Sequence, residues 1–236
     1  MFREDLESRE AEIINTISSL PKGFVVIGGY AVSALSAHRF SVDCDMVILK
    51  KDANDFRNEL RKHNYRKQKS ARGFDKAYGG AVEIYTKRIS TGTISVDLFV
   101  NSVTARKTKA TWSYEYIKNN SKEATISGVR NSADAIVPTK ELLMAMKIHS
   151  GRDMDMRDIV MLSEDTDWNS VAGHATRGEK NELIENLTHI IGRMDEKQFS
   201  ESLRAAFELR KNMEPLINSC KKNLSKLRET VESTKR

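Results

Sequence analysis

The chain has 236 residues, 39% hydrophobic and 31% charged, which is enough for one large domain or two modest ones with a buried core. Its 12 glycines and 3 prolines exclude a collagenous, proline-rich or low-complexity architecture. Lys and Arg number 39 against 33 Asp and Glu, and the resulting formal net charge of +6 is compatible with nucleic acid or nucleotide phosphates as partners.

Several features predict a cytoplasmic protein with no membrane partner. No run of 18 apolar residues occurs, so no transmembrane helix is expected. The first five residues, Met1–Asp5, are too charged to open a signal peptide. The two cysteines, Cys44 and Cys220, are far apart in unlike contexts, which is typical of a reducing compartment and provides no metal-ligand spacing.

Helical patterns alternate with strand patterns in the first half of the chain. Four apolar residues recur at the spacing of one helix face and predict a helix over residues 4–20: Ile13, Ile14, Ile17 and Leu20. Gly28-Gly29 precedes a predicted helix from Tyr30 to Ala37, and Asp52 is the predicted N-cap of a helix that ends near His63.

Short β-branched or alternating segments predict the strands between these helices. They are Phe24–Ile27, Val42–Leu49, Tyr65–Lys69, Lys76–Tyr78, Val82–Thr86 and Ile94–Val100. The last of them alternates strictly, so Asp97 is expected on the face opposite to its apolar residues.

The second half of the chain is predicted to be mainly helical. Three aromatic residues at a spacing of two indicate a strand-like face: Trp112, Tyr114 and Tyr116. A helix is predicted from Glu141 to His149, and helical periods continue from Arg157 onward. We therefore expect an α+β protein with a mixed sheet flanked by helices over residues 1–135 and a helical bundle over 136–236.

The Gly28-Gly29 pair has the features of a phosphate-binding turn. A buried strand runs into two glycines, where the backbone can approach a ligand because no Cβ intervenes. A short helix follows, and its N-terminal N–H groups and dipole favour an anion.

Asp43 and Asp45 are the candidate metal ligands. Two residues apart on a strand, they lie on one face, whereas Cys44 points to the other. The repulsion between the two carboxylates would be removed by a divalent cation, and oxygen ligands of this kind suit Mg²⁺ or Mn²⁺.

The order of these residues resembles the signature of the nucleotidyltransferase superfamily of the DNA polymerase β type. Within it the chain is most similar to the AbiEii/MenA-like toxin nucleotidyltransferases, whose opening motif is matched by Gly28, Gly29, Arg39, Ser41, Asp43 and Asp45. The resemblance implies a third carboxylate on a later strand, matched by Asp97. It also implies a lysine in L-x-x-x-K, matched by Lys147, and a later R-D pair whose aspartate is Asp158. Asp153 and Asp155 lie close by and compete for that assignment, and Asp158 is preferred because Arg157-Asp158 keeps the family order.

The activity implied by the resemblance is metal-dependent transfer of a nucleoside monophosphate from a nucleoside triphosphate (NTP) to an acceptor hydroxyl, an EC 2.7.7-type reaction. Asp43, Asp45 and Asp97 would hold Mg²⁺ or Mn²⁺, and Asp97 would also take the acceptor's proton. Two groups of residues would serve the triphosphate. Gly28, Gly29 and Ser41 would cradle it, Arg39 and Lys147 would balance its charge, and Asp158 would orient Lys147 or the acceptor.

The acceptor stays open at this stage. The toxin resemblance implies tRNA or another RNA, with a cognate antitoxin as partner. The alternatives are a small-molecule nucleotidyltransferase of the aminoglycoside-modifying type and a catalytically silent nucleotide-binding module. The complete set of Asp43, Asp45 and Asp97 counts against the silent module.

Overall fold

The computed structural model describes residues 3–72 and 77–234, which divide into two compact units. The first unit comprises the described residues up to Thr104 together with Trp112–Thr139. The second comprises Ala105–Thr111 and the chain from Lys140 onward. The predicted α+β architecture, a mixed sheet with helices followed by further helices, is confirmed. The domain boundary set after residue 135 from the sequence stays a prediction.

Helices and strands alternate in the first part of the chain. The helices are α1 (Arg3–Ser19), α2 (Gly28–Leu35), α3 (Ala53–Lys62) and α4 (Tyr114–Asn119). The strands are β1 (Phe24–Ile27), β2 (Asp43–Ile48), β3 (Arg66–Arg72), β4 (Ala81–Ile89), β5 (Gly92–Val100), β6 (Ser102–Thr104), β7 (Thr111–Ser113), β8 (Ser121–Ser127) and β9 (Ser132–Pro138).

A five-stranded sheet organises the first unit, in the order β1-β2-β5-β4-β3. Strands β2 and β5 are parallel, and the other neighbours in this sheet are antiparallel. The buried face of β5 consists of Ile94, Val96, Leu98 and Val100, as the alternation predicted. Helix α1 contributes Ile13, Ile14 and Ile17 to the core, because these apolar side chains share one helix face.

Two local predictions from the sequence are corrected by the structure. Helix α2 begins at Gly28 rather than Tyr30, so the glycines form its first turn. Asp52 occupies the N-cap position of α3, but its backbone has helical dihedral angles and its side chain makes no capping hydrogen bond.

The aromatic alternation after residue 111 does not continue as a strand. Trp112 lies in β7, whereas Tyr114 and Tyr116 belong to α4. The Ser113 side chain accepts a hydrogen bond from the Tyr116 backbone N–H at 3.2 Å, and this cap starts the helix. Of the predicted strand Lys76–Tyr78, Lys76 lies outside the described residues and Tyr78 lies in a turn. The antiparallel pair β8–β9 was not predicted.

The second unit is built from helices, as predicted. They are α5 (Lys140–Ser150), α6 (Asp153–Leu162), α7 (Trp168–Ala175), α8 (Lys180–Met194), α9 (Phe199–Ala206) and α10 (Glu214–Ser233). The buried His149 of α5 makes hydrogen bonds to Thr108 Oγ1 at 2.8 Å and to the Ala175 carbonyl at 2.7 Å, which ties Ala105–Thr111 to this unit. Among the described residues, no helix combines the length and the apolar character needed to cross a membrane.

A buried carboxylate joins α3 to the far edge of the sheet. Glu83 of β4 is 2% exposed and accepts hydrogen bonds from Arg57 at 2.8 and 2.9 Å and from the Tyr85 hydroxyl at 3.0 Å. Lys67 Nζ of β3 lies 2.9 Å from the same carboxylate. Burial alone would raise the pKa of Glu83, but the hydrogen bonds from Arg57, Lys67 and Tyr85 outweigh it and lower the pKa to about 2.

This network predicts acid-sensitive stability. The pKa of Glu83 falls from its ordinary 4.5 to about 2 on folding, so its stabilisation is present above about pH 4.5 and is lost as pH falls towards 2. Glu83→Gln should therefore lower the free energy of unfolding at pH 7 by about 2 kcal/mol, measured by urea denaturation. The difference from wild type should shrink at pH 3. Glu59→Gln, on the surface of α3, is the control and should change little. An equal loss at both pH values would contradict the prediction.

Candidate active site

The site is built around the turn where β1 ends and α2 begins. Gly28 has a φ of +68°, a conformation that side chains other than glycine's rarely tolerate. A Cβ at this position would also collide with the Asp45 carboxylate. Glycine is therefore needed twice at this point, for its backbone angle and for the close approach of an acidic side chain.

The first turn of α2 is not capped by the side chain of its own N-cap residue. Its N-cap residue is Ile27, which provides no side-chain hydrogen bond. A methyl group added at Gly29 would lie 2.9 Å from Arg39 Nη2 and 3.0 Å from Ser41 Oγ. A guanidinium and a hydroxyl therefore lie against the N-terminus of a helix, and this combination suits a phosphate group.

The segment that carries Arg39 and Ser41 is held in place by α2 itself. The Tyr30 hydroxyl donates a hydrogen bond to the Ser41 carbonyl at 2.9 Å. Ser33 Oγ donates to the Arg39 carbonyl at 3.1 Å and accepts from the Arg39 N–H at 3.2 Å. The sequence analysis missed Tyr30 and Ser33, although their spacing of three among Ala, Val and Leu residues places both on one helix face.

Three aspartates lie on neighbouring parallel strands. In the register of β2 and β5, Asp45 is opposite Asp97 and Asp43 is opposite Ser95. Register partners share a sheet face about 4.8 Å apart, so the three carboxylates are neighbours on one face. Ser95 Oγ donates a hydrogen bond to Asp43 Oδ1 at 2.7 Å, a contact that the sequence analysis did not predict. Cys44 points to the opposite face and is fully buried.

The electrostatics of Asp97 favour a cation. Burial, followed by the charges of Asp45 and Asp43, raises the pKa of Asp97 from 3.8 to about 7. Its Oδ1 atom is buried and has no hydrogen-bond partner within residues 3–72 and 77–234. A buried carboxylate oxygen without a donor, beside two like charges, is stabilised by any positive charge that reaches it.

The carboxylates fit a divalent cation whose other ligands are water and the phosphates of a bound substrate. In the part of the chain that the structure describes, no group of three or more His, Cys, Asp or Glu residues is arranged to hold a metal ion. Mg²⁺ is commonly bound through one or two carboxylates, with water and substrate phosphates completing its shell. Asp45 and Asp97, opposite each other, match this partial set. The assignment of all three aspartates as ligands stays a prediction.

A second cluster of predicted site residues lies in the second unit. Lys147 Nζ donates to Asp155 Oδ1 at 2.7 Å and to Asp158 Oδ2 at 2.8 Å, and all three side chains are buried. Arg152 Nε also bonds Asp155 at 2.8 Å. Burial alone would lower the pKa of Lys147, but the charges of Asp158 and Asp155 outweigh it and raise the pKa. The sequence analysis preferred Asp158 to Asp155, whereas both contact Lys147, because positions three apart share a helix face.

The structure therefore brings the predicted site residues together in two groups. Within the first unit, one neighbourhood contains Gly28, Gly29, Arg39, Ser41, Asp43, Asp45 and Asp97. Lys147 and Asp158 contact each other within the second unit.

Comparisons with known proteins find solved structures of low sequence identity to this chain. No protein-family model and no curated protein matches it. JHP933 from Helicobacter pylori is 13% identical, with a TM-score of 0.48 over 98% of this chain and 95% of that one. A candidate nucleotidyltransferase from H. pylori is 12% identical, with a TM-score of 0.48 over the whole of both chains. The antibiotic-resistance factor ANT(2'')-Ia is 14% identical, with a TM-score of 0.39 over 88% and 93%. At these values the likeness by itself assigns no activity, and the function depends on this chain's own residues.

Proposed function

We propose that the protein is a metal-dependent nucleotidyltransferase that moves a nucleoside monophosphate from an NTP to an acceptor hydroxyl. The observation that supports this most directly is the placement of Asp43, Asp45 and Asp97 on one face of two parallel strands, beside the glycine turn that opens α2. Acidic ligands for a cation and backbone donors for phosphate are the two requirements of phosphoryl chemistry with an NTP.

The triphosphate binds at the N-terminus of α2. Backbone N–H groups of Gly28 and Gly29 donate to its oxygens, and Ser41 Oγ adds a side-chain donor. The Arg39 guanidinium, held against Gly29, balances part of the negative charge. These donors are already in position, because hydrogen bonds from Tyr30 and Ser33 fix the segment that carries them.

Asp45 and Asp97, with Asp43 beside them, would hold Mg²⁺ or Mn²⁺ together with phosphate oxygens of the NTP. The cation would supply charge neutralisation for the attacking and leaving oxygens. Ser95 orients the Asp43 carboxylate through the 2.7 Å hydrogen bond to Oδ1.

Asp97 accepts the proton of the acceptor hydroxyl. Its Oδ1 atom is buried and has no competing donor among the described residues, so it is available to a hydroxyl proton. The hydroxyl oxygen forms a bond to the α-phosphorus, the bond to the bridging oxygen breaks, and pyrophosphate leaves with that electron pair. Within the second unit, hydrogen bonds to Asp155 and Asp158 fix the Lys147 ammonium. The charge-balancing role that the resemblance implies for Lys147 stays a prediction.

The acceptor that we propose is the terminal hydroxyl of an RNA. The resemblance of the Gly28–Asp45 motif to AbiEii/MenA-like toxins supports tRNA as that RNA and an antitoxin as partner. Capping a tRNA end with a nucleotide would remove the hydroxyl that receives an amino acid.

Loss of a cation ligand should abolish transfer. Asp43→Ala should reduce incorporation of label from α-³²P NTPs into total RNA to background in Mg²⁺, because the charge that holds the cation is removed. Asp55→Ala, which removes an exposed carboxylate from α3, is the matched control and should retain activity. Full transfer by Asp43→Ala would exclude the metal-ligand role, and label moved only to an aminoglycoside would exclude the RNA acceptor.

Asp97 should destabilise the metal-free protein as pH rises. Its pKa is raised on folding from 3.8 to about 7, so its favourable contribution is complete below about pH 3.8 and is lost as pH rises through 7. In EDTA at pH 8, Asp97→Asn should melt roughly 4 °C above wild type, with the difference small at pH 4. Mg²⁺ should stabilise wild type more than the variant. A variant less stable than wild type at pH 8 would contradict this.

Growth tests the toxin assignment. Induction of the wild-type protein should arrest growth of a bacterial host, whereas Asp43→Ala/Asp45→Ala expressed to the same level should not, because arrest requires nucleotidyl transfer. Growth is measured by colony counts after induction, and immunoblots show that both proteins are present at the same level. Equal growth of both strains would exclude the toxin role and leave nucleotidyl transfer to be judged by the labelling assay.

A further inference from the structure

The positive charge of this protein is concentrated in one short segment. Residues 57–72 contain seven Lys and Arg and a single acid, Glu59, a net charge of +6. This equals the formal net charge of the entire chain, so the other 220 residues balance to zero. The segment runs from the middle of α3 through β3, which is an edge strand of the five-stranded sheet.

Part of this charge is neutralised within the fold. Arg57 and Lys67 both bind the buried Glu83, and Lys62 pairs with Glu59 at 2.9 Å.

Among the other basic residues of this segment, Arg61 of α3 and Arg66 and Lys69 of β3 are exposed and have no acidic partner within residues 3–72 and 77–234. Arg88 of the neighbouring strand β4 is likewise exposed and has no acidic partner in that part of the chain. We call these four side chains the basic strip. Arg61, Arg66 and Arg88 line one open groove of about 680 Å³, together with the polar Asn64, Gln68 and Thr86.

The register of the sheet places the strand residues of the strip, Arg66, Lys69 and Arg88, on the same face as the three aspartates, and Arg61 of α3 lines the same groove as Arg66. Asp43 is opposite Ser95, Ser95 is opposite Thr86, and Thr86 is opposite Arg66. In the next row, Asp45, Asp97, Ile84 and Lys69 follow one another across the strands. Because register partners point to one face, the acidic site and the strip are parts of one surface.

The distance between them suits a nucleic-acid strand. Two strand spacings separate β5 from β3, which is about 10 Å. A small acceptor held at Asp97 would not reach the strip. A chain of phosphodiesters with its end at Asp97 would reach it within a few nucleotides, since successive phosphates can lie several ångströms apart.

We propose that the basic strip binds the sugar-phosphate backbone of a nucleic-acid acceptor strand whose terminal hydroxyl lies at Asp97. This rests on the proposed nucleotidyl transfer and adds the site at which the acceptor is recognised. Three of the four side chains are arginines, whose guanidinium groups bind phosphate through two parallel hydrogen bonds. The groove has no apolar anchor that would indicate a folded protein partner, because its aromatic residue, Tyr65, is 1% exposed.

Direct binding of RNA tests the strip apart from catalysis. The probe is a 5′-fluorescein single-stranded RNA of about 12 nucleotides with a free 3′ hydroxyl, titrated by anisotropy in EDTA without nucleotide. Arg66→Glu/Arg88→Glu should raise the Kd at least about tenfold and reduce the slope of log K against log salt by about 1.4, because two phosphate contacts are lost. Lys51→Glu/Lys122→Glu changes the net charge equally at exposed positions outside the strip and should change the Kd less than about twofold.

Several results would overturn the proposal. They are absence of RNA binding by wild type, equal weakening by both double variants, and displacement of the RNA by polyglutamate as efficiently as by unlabelled RNA. The last of these would identify an acidic protein as the partner.

Unchanged melting temperatures of both double variants would show that folding is preserved.

Transfer assays separate this proposal from the proposed function. With labelled NTP and Mg²⁺, the strip variant should raise the KM for RNA and leave the affinity for nucleotide unchanged. RNA binding through the strip without transfer from any NTP would overturn nucleotidyl transfer and retain the binding surface. Transfer with an unaltered KM for RNA in the strip variant would overturn the strip and retain the activity.

Discussion

The parallel pairing of β2 with β5 is the constraint on which the candidate site depends. It places Asp45 opposite Asp97 and so forces like charges together on a half-buried face. Such an arrangement is unfavourable unless a proton or a cation binds between the carboxylates. The pKa of Asp97 is raised for the same reason, because burial and the neighbouring charges favour its protonated form. A proton or a cation bound at this position would therefore stabilise the fold. Enzymes often locate their perturbed carboxylates in this way.

The two faces of strands β3 and β4 differ in whether their basic side chains are paired with acids. On the core side of the sheet, the buried Glu83 carboxylate forms ion pairs with Arg57 and Lys67. These pairs fix α3 to β3 and β4. The other face of the same strands keeps Arg66 and Arg88 without acidic partners in the described part of the chain. One edge strand thus serves stability on one face and ligand attraction on the other, because side chains alternate along it.

Local features of the fold and site were readable from the sequence because they depend on neighbours in the chain. The alternation of β5 predicted the face of Asp97, and the glycine pair predicted the change from strand to helix, although α2 begins at Gly28 and not after the pair. Contacts between distant segments were not readable. The order of the strands, and with it the row from Asp43 to Arg66, depends on pairing between residues far apart in the chain. Asp155 was set aside because a choice between neighbouring acids needs the direction in which each side chain points.

Cys44 gains an unusual chemical environment from its position between Asp43 and Asp45. Burial, followed by the charges of Asp45 and Asp97, raises the pKa of its thiol well above the ordinary value. Oxidants and alkylating reagents act on the thiolate, so this sulfur is inert while the sheet is intact. Burial, with a smaller contribution from the carboxylates on the other face, thus protects this thiol from oxidation. Any reactivity of Cys44 would then report the local opening of the sheet at the centre of the first unit.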